Sequence, residues 1–220
     1  MKMNHIIVVD TDNIVSLNSK ENRLQLRNEL YQLQQDGCHL VLTTKGPISR
    51  IISIAKELDM KKYHGFLIAY DGCIVIDCST GERLYENTIS IPTTKKLIQH
   101  AQQLGLNPIV EDGFQIYTDH ADNYSVSYES ITNHLNIHLV DDIAESIDFQ
   151  PARILIAAPH EVLASCLEAC QQPFLNRLSF TLLTPFYLQV TPLGVYQDYS
   201  LQLICRKLKT AWEDVKFKAT

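Results

Sequence analysis

Apolar residues fall into short runs that end in polar tips, and these runs alternate with stretches of helical spacing. The first run, Ile6-Ile7-Val8-Val9, is β-branched throughout and predicts a strand buried on both faces. Residues 21–35 follow with Leu24, Leu26, Leu30 and Leu33 mostly on one helical face, and Asp36-Gly37 stops that helix. A second apolar run, 38–42, ends in Thr43-Thr44-Lys45-Gly46-Pro47. A helix is predicted over 48–58, and a third strand, 65–69, ends in Tyr70-Asp71-Gly72. Strands alternating with helices in this way predict a parallel sheet with right-handed crossovers. All three polar tips then fall at one edge of it.

Beyond residue 72 the rhythm changes. Residues 73–77 and 83–89 read as a hairpin around Ser79-Thr80-Gly81-Glu82. A helix is predicted over 93–104, and strands over 107–110 and 114–118. The stretch 119–150 is polar and gives no clear period. Strand 153–157, helix 159–171 and strand 178–182 complete what reads as an inserted α+β block. Strands 187–190 and 215–218 with helix 200–209 read as a return to the first sheet. The expected organisation is an α/β protein with a Rossmann-like core, 1–82 and 186–220, and an α+β insert, 83–185.

Composition narrows the function classes. The 220-residue chain has a formal net charge of -6, which argues against a nucleic-acid partner. No run is long enough for a membrane span, and no long apolar stretch follows a basic start. The six cysteines form no CxxC pair, so zinc is not expected, and reduced thiols in the cytoplasm fit best.

The candidate chemistry sits at the strand tips. Asp10 and Asp12 leave the carboxyl end of the first strand, where open α/β sheets place ligands. In an extended tip, residues two apart point to the same side, so both carboxylates can converge on one site. Two close carboxylates resist ionising together unless a cation holds them, and Mg²⁺ favours such oxygen donors. The alternative is a turn or helix cap without chemistry.

With these residues on the page, the chain resembles the haloacid dehalogenase superfamily, in particular the Cof-type phosphatases with an α+β cap. Asp10-Thr11-Asp12-Asn13-Ile14 resembles the family's Asp-x-Asp-Gly-Thr, and Thr43-Thr44-Lys45-Gly46-Pro47 resembles its Ala-Thr-Gly-Arg-Pro. Asp71-Gly72 stands for Asn-Gly after the third strand. Tyr187-Leu188-Gln189-Val190-Thr191-Pro192-Leu193-Gly194-Val195-Tyr196-Gln197-Asp198 follows the family's cap exit, Tyr-Leu-Glu-Ile-Thr-Pro-x-Gly-Val-x-Lys-Gly. The resemblance implies a Mg²⁺-dependent phosphatase of small phosphorylated metabolites. Asp10 would be the nucleophile and Asp12 the general acid/base. Thr44 would contact phosphate, and Asp10, the Asp12 backbone carbonyl and, as a substitute ligand, Asp71 would hold the metal.

Four departures bear on that reading. Asn13 and Ile14 replace Gly and Thr, and Lys45-Gly46 replaces Gly-Arg. Gln197 takes the place of the family's phosphate-binding lysine, which removes a charge; Lys207 and Lys209 would substitute only if their helix turned them inward. Val215-Lys216-Phe217-Lys218 is followed by Ala219-Thr220 where the family has Gly-Asp-x-x-Asn-Asp. The core is therefore expected to lack its usual last strand and helices, leaving a sheet edge through which copies of the chain could associate. Three readings stay open: an impaired phosphatase, a non-catalytic phosphoester-binding or protein-interaction module, and a truncated product.

Overall fold

The computed structural model describes residues 5–12 and 20–218, so Asn13 and Ile14 lie outside the described residues. The chain is a mixed α/β protein that divides into two units, Met1–Glu86 with Val195–Thr220, and Asn87–Gly194.

The first unit is built on one six-stranded sheet, in the order β12-β1-β2-β3-β4-β5. Its strands are β1 (Ile6–Asp10), β2 (His39–Thr43), β3 (Phe66–Ala69), β4 (Ile74–Asp77), β5 (Arg83–Glu86) and β12 (Val215–Lys218). β12, β1, β2 and β3 run parallel, with Asp10 level with Thr43, and β4 and β5 are antiparallel. Helices α1 (Lys20–Gln35) and α2 (Ser49–Glu57) make the two crossovers, and α7 (Gln197–Leu208) leads to β12.

Alternation along the strands sends side chains to two opposite faces. Ile6, Val8, Val41, Phe66, Ile68 and Val75 form one buried layer with Leu201, Ile204 and Cys205 of α7. Leu67 and Ile76 face the other way, toward Ile48, Ile52 and Ala55 at α2, across a largely apolar cavity of about 390 Å³. Helix α1 departs from its expected face: Leu24 is 51% exposed, whereas Leu30 is buried beside Gln34. The Gln34 side-chain amide donates to the Leu58 carbonyl at 2.8 Å, which accounts for a polar residue on the inner side.

The second unit carries a six-stranded sheet in the order β10-β11-β9-β6-β7-β8. These strands are β6 (Asn107–Glu111), β7 (Gln115–Thr118), β8 (Asn136–Leu139), β9 (Ile154–Ala157), β10 (Leu178–Thr184) and β11 (Tyr187–Pro192). All pairings are antiparallel except β7 with β8. Val110, Ile154, Ile156, Leu188 and Val190 pack with α3 (Ile91–Gln103) and α6 (His160–Gln171), while Ile109, Ile116, Leu155 and Ala157 form a smaller layer with Val126 and Leu135. The unassigned stretch holds α4 (Val126–Asn133), β8 and α5 (Ile143–Ser146).

The expected boundaries need correction on both sides. Strand 83–86 pairs with β4 and stays in the first unit, so the insert starts at Asn87 rather than 83. Strand β11 pairs with β9 and β10, so the chain returns at Val195 rather than 186. The apolar content of residues 187–190 suits burial in either sheet, and only pairing decides which. All six cysteines are free, and no helix among the described residues is long and apolar enough to cross a membrane.

Candidate active site

The tips of β1, β2 and β3 meet at the carboxyl end of the parallel strands. Thr11 is buried, and its hydroxyl donates to the Thr43 carbonyl at 2.8 Å, which ties the β1 tip to β2. The Thr44 N–H donates to the Ile68 carbonyl, and the Asp71 N–H donates to the Thr44 carbonyl at 3.2 Å, which ties β2 to the β3 tip. That tip turns sharply. Tyr70, Asp71 and Gly72 all have positive φ, at 53°, 58° and 112°. For the two side-chain-bearing residues this conformation is sparsely populated and costs about 1–3 kcal/mol each, which the surrounding contacts must offset.

Gly72 is needed for a second reason. A Cβ there would stand 3.1 Å from the Gln197 Cα and N and from the Tyr196 carbonyl carbon. Its absence lets the start of α7 rest directly on the turn. The buried Ser200 hydroxyl secures that contact by donating to the Gly72 carbonyl at 2.8 Å. Helix α7 begins at Gln197, three residues before the expected start, and this brings Gln197 to the strand tips. The first N–H groups of a helix and its dipole favour an anion at this end.

Asp10, Thr43, Thr44, Lys45, Asp71 and Gln197 line one cavity of about 20 Å³. That is room for a single water-sized group. The carboxylate of Asp10 accepts the Asp12 N–H at 2.9 Å. The carboxylate of Asp12 is held from three sides. Its Oδ1 accepts the Thr44 hydroxyl at 2.8 Å and faces Arg50 Nη1 at 3.1 Å, and its Oδ2 accepts the Lys45 N–H at 2.9 Å. Thr44 Oγ1 in turn accepts the Gly46 N–H at 3.0 Å, so the hydroxyl proton is directed at Asp12. The structure thus brings together Asp10, Asp12, Thr44, Asp71 and Gln197 in the first unit.

Two other positions behave differently. Lys207 pairs with Asp77 at 3.4 Å, away from the strand tips, and Lys209 lies past the end of α7. Neither substitutes for the charge missing at Gln197. Among the described residues Arg50 is ion-paired with Asp12, a contact that sequence reasoning missed. Its signal was available: Arg50 lies three residues after Pro47, in the first turn of the helix leaving the second tip. A first-turn side chain on that helix stays close to the loop that precedes it.

Of the residues lining the cavity, Asp10 and Asp71 carry carboxylates and none is a histidine or cysteine. Among the described residues no group of three or more His, Cys, Asp or Glu side chains forms a metal cluster. An all-oxygen set with two carboxylates fits Mg²⁺, which keeps waters and substrate oxygens in its shell, and does not fit zinc.

Comparisons with known proteins identify the family and the fold. Residues 7–216 match the sequence pattern of the haloacid dehalogenase-like hydrolases. The chain belongs to that family. A Streptococcus pyogenes protein provisionally named a phosphatase is 19% identical, over 92% of this chain and 76% of its own. YxeH of Bacillus subtilis, also provisionally named a phosphatase, is 22% identical over 86% of this chain and 70% of its own. Among solved structures, a haloacid dehalogenase-like hydrolase from Bacteroides thetaiotaomicron superposes with a TM-score of 0.88 at 25% identity. That match covers 97% of this chain and 80% of the other. A protein of Thermotoga maritima shares the fold, with a TM-score of 0.80 at 18% identity over 98% of this chain and 79% of its own.

Proposed function

We propose that this chain hydrolyses small phosphate monoesters through an aspartyl-phosphate. The observation that carries the reading is the meeting of Asp10, Thr44, Asp71 and Gln197 around one small cavity, with Asp12 fastened to Thr44 and the Lys45 N–H beside it. Asp10 attacks phosphorus, and the bond from phosphorus to the leaving oxygen breaks. Asp12 gives that oxygen a proton, then accepts one from the water that attacks the aspartyl-phosphate and releases inorganic phosphate. Gln197 and the N–H groups at the start of α7 bind the phosphoryl oxygens, while Thr44 and the Lys45 N–H border the same cavity and hold Asp12 in place.

Asp10, the Asp12 backbone carbonyl and Asp71 would hold Mg²⁺. Phosphatases of this superfamily are generally metal-dependent, and the oxygen-only donor set supports Mg²⁺ here. The ion would neutralise charge between nucleophile and phosphoryl group. The acidic net charge of -6 also favours a small metabolite over a nucleic acid.

The test is Mg²⁺-dependent hydrolysis of an aryl phosphate by the purified chain, beside Asp10→Asn. Metal-dependent turnover lost in the variant supports the reading. A folded protein with no turnover above the variant overturns it, and phosphate affinity would then be measured to test a binding module.

A further inference from the structure

The phosphoryl site described above has a carboxylate-rich wall and, at Gln197, an amide where its relatives' pattern has a cation. A phosphate dianion placed beside Asp10, Asp12 and Asp71 needs positive charge from somewhere on the protein. Lys207 and Lys218 are committed elsewhere, to Asp77 and to Glu29 at 2.6 Å. Lys45 lines the cavity but is exposed to solvent. Arg50 borders the site through Asp12: its guanidinium stands 3.1 Å from Asp12 Oδ1, and its side chain is only 19% exposed.

We propose that Arg50 is the phosphate-binding cation of this protein, in place of the charge absent at position 197. This rests on the phosphatase reading for its substrate, but the assignment concerns anion binding and is tested apart from turnover. Three features support it. The guanidinium is rooted in the first turn of α2, directly after the loop that carries Thr44 and Lys45, which keeps it close to the strand tip. Only Nη1 is used on Asp12, and a guanidinium carries five donors in a planar fork suited to phosphate oxygens. Asp12 retains Thr44 and the Lys45 N–H when the arginine turns to a ligand, so its carboxylate keeps two donors and stays in place. The ion pair with Asp12 is then the resting position of Arg50, and arrival of the dianion exchanges one carboxylate partner for a phosphoryl oxygen.

The experiment is calorimetric binding of inorganic phosphate to the full chain, paired with its inhibition constant where turnover is measurable. The proteins compared are wild type, Arg50→Gln, Arg50→Lys and the double variant Arg50→Gln/Gln197→Lys. Arg50→Gln is expected to weaken phosphate binding by about 10- to 100-fold, the range of a lost charge-assisted hydrogen bond. Arg50→Lys keeps the charge and should retain most of the affinity. The double variant should recover it, because a lysine at position 197 enters the same cavity from the α7 side. A purely structural role for Arg50 would shift the unfolding midpoint but would not be rescued from position 197.

Phosphate affinity within about twofold of wild type in folded Arg50→Gln, or no recovery in the double variant, would overturn the assignment. Should Arg50→Gln fail to fold, Arg50→Lys decides: a folded lysine variant that has lost phosphate affinity also overturns it. Absence of turnover with Arg50-dependent phosphate binding would remove the phosphatase reading and leave the anion site standing.

Discussion

The two units contain sheets of equal strand number, yet only one converts its charged residues into a candidate site. In the first unit the parallel strands β1, β2 and β3 end side by side, so residues far apart in sequence, Asp10, Thr44 and Asp71, arrive at one edge. In the second unit the strands are mostly antiparallel and their ends alternate between two edges. Its most deeply buried charges, Arg153 and Glu111, face each other at 3.6 Å, and the Glu111 carboxylate also accepts the Gly113 N–H. Those groups hold neighbouring strands together. Burial of a charge therefore does not distinguish chemistry from architecture here; the direction of the strands does.

Substituting on the two sides of this comparison should separate rate from stability. Asp10→Asn is expected to lower aryl phosphatase turnover by about a thousandfold or more, the scale on which loss of a nucleophile is felt. Its urea midpoint should change little. An unchanged rate would place the chemistry elsewhere. Arg153→Met should do the reverse at the level of folding, destabilising the chain by about 3–5 kcal/mol because Glu111 is left charged and buried. Urea denaturation of Arg153→Met beside Arg153→Met/Glu111→Gln checks this. Removing both charges should recover much of the loss, and a double variant as unstable as the single one would refute the pair.

How much of this was legible from sequence follows from the same contrast. Short apolar runs ending in polar tips and alternating with helical spacing predict parallel strands, so β1, β2 and β3 and the convergence of their tips could be read directly. Local pattern also fixes α2 and α6. It fails where pairing is the deciding fact. Strand β11 has the apolar content of a core strand but hydrogen bonds in the other unit, which moved the boundary to Val195. Helix α4 and strand β8 escaped notice because they are short and largely exposed, with Ile131 and Leu139 facing solvent, so they show no clean period. Within the site, the aspartates and Thr44 were legible from motif spacing. Arg50 could be placed near the second tip by its first-turn position, but not on Asp12, because that contact depends on the angle at which α2 leaves the loop.

A smaller effect is expected at the seam that seats Gln197. Gly72→Ala must hold φ at 112° with a Cβ pressed 3.1 Å from the backbone of Tyr196 and Gln197. The strain is about 1–3 kcal/mol, and backbone on the opposing side cannot swing away as a side chain would. The start of α7 should therefore be displaced from the cavity. Phosphate affinity is expected to fall by more than the loss of stability alone implies, which calorimetry and thermal unfolding on the same sample would reveal. A stability loss with unchanged phosphate affinity would mean that the α7 terminus takes no part in anion binding.

The smallest expected effect concerns a carboxylate of the first unit that lies outside the site. Asp77 ends β4, where burial works against its ionisation. The Ser79 hydroxyl and N–H and the Lys207 ammonium outweigh that burial and hold the carboxyl below its ordinary value of 3.8. A carboxylate with a depressed folded value contributes stability that is complete above the unfolded value and is lost as pH falls through the folded one. Asp77→Asn should therefore be less stable than wild type at neutral pH, by about 1 kcal/mol for the weakened hydrogen bonds, with Lys207 adding little because it is partly solvated. As pH falls below that ordinary value the two melting curves should converge, since wild type then loses the same interaction by protonation. Thermal unfolding across that range measures it, and a constant gap down to the lowest pH would show that Asp77 acts through packing. Convergence would instead mark Asp77 as a stabilising carboxylate, in contrast to Asp10 at the far end of the same sheet, whose substitution should remove turnover.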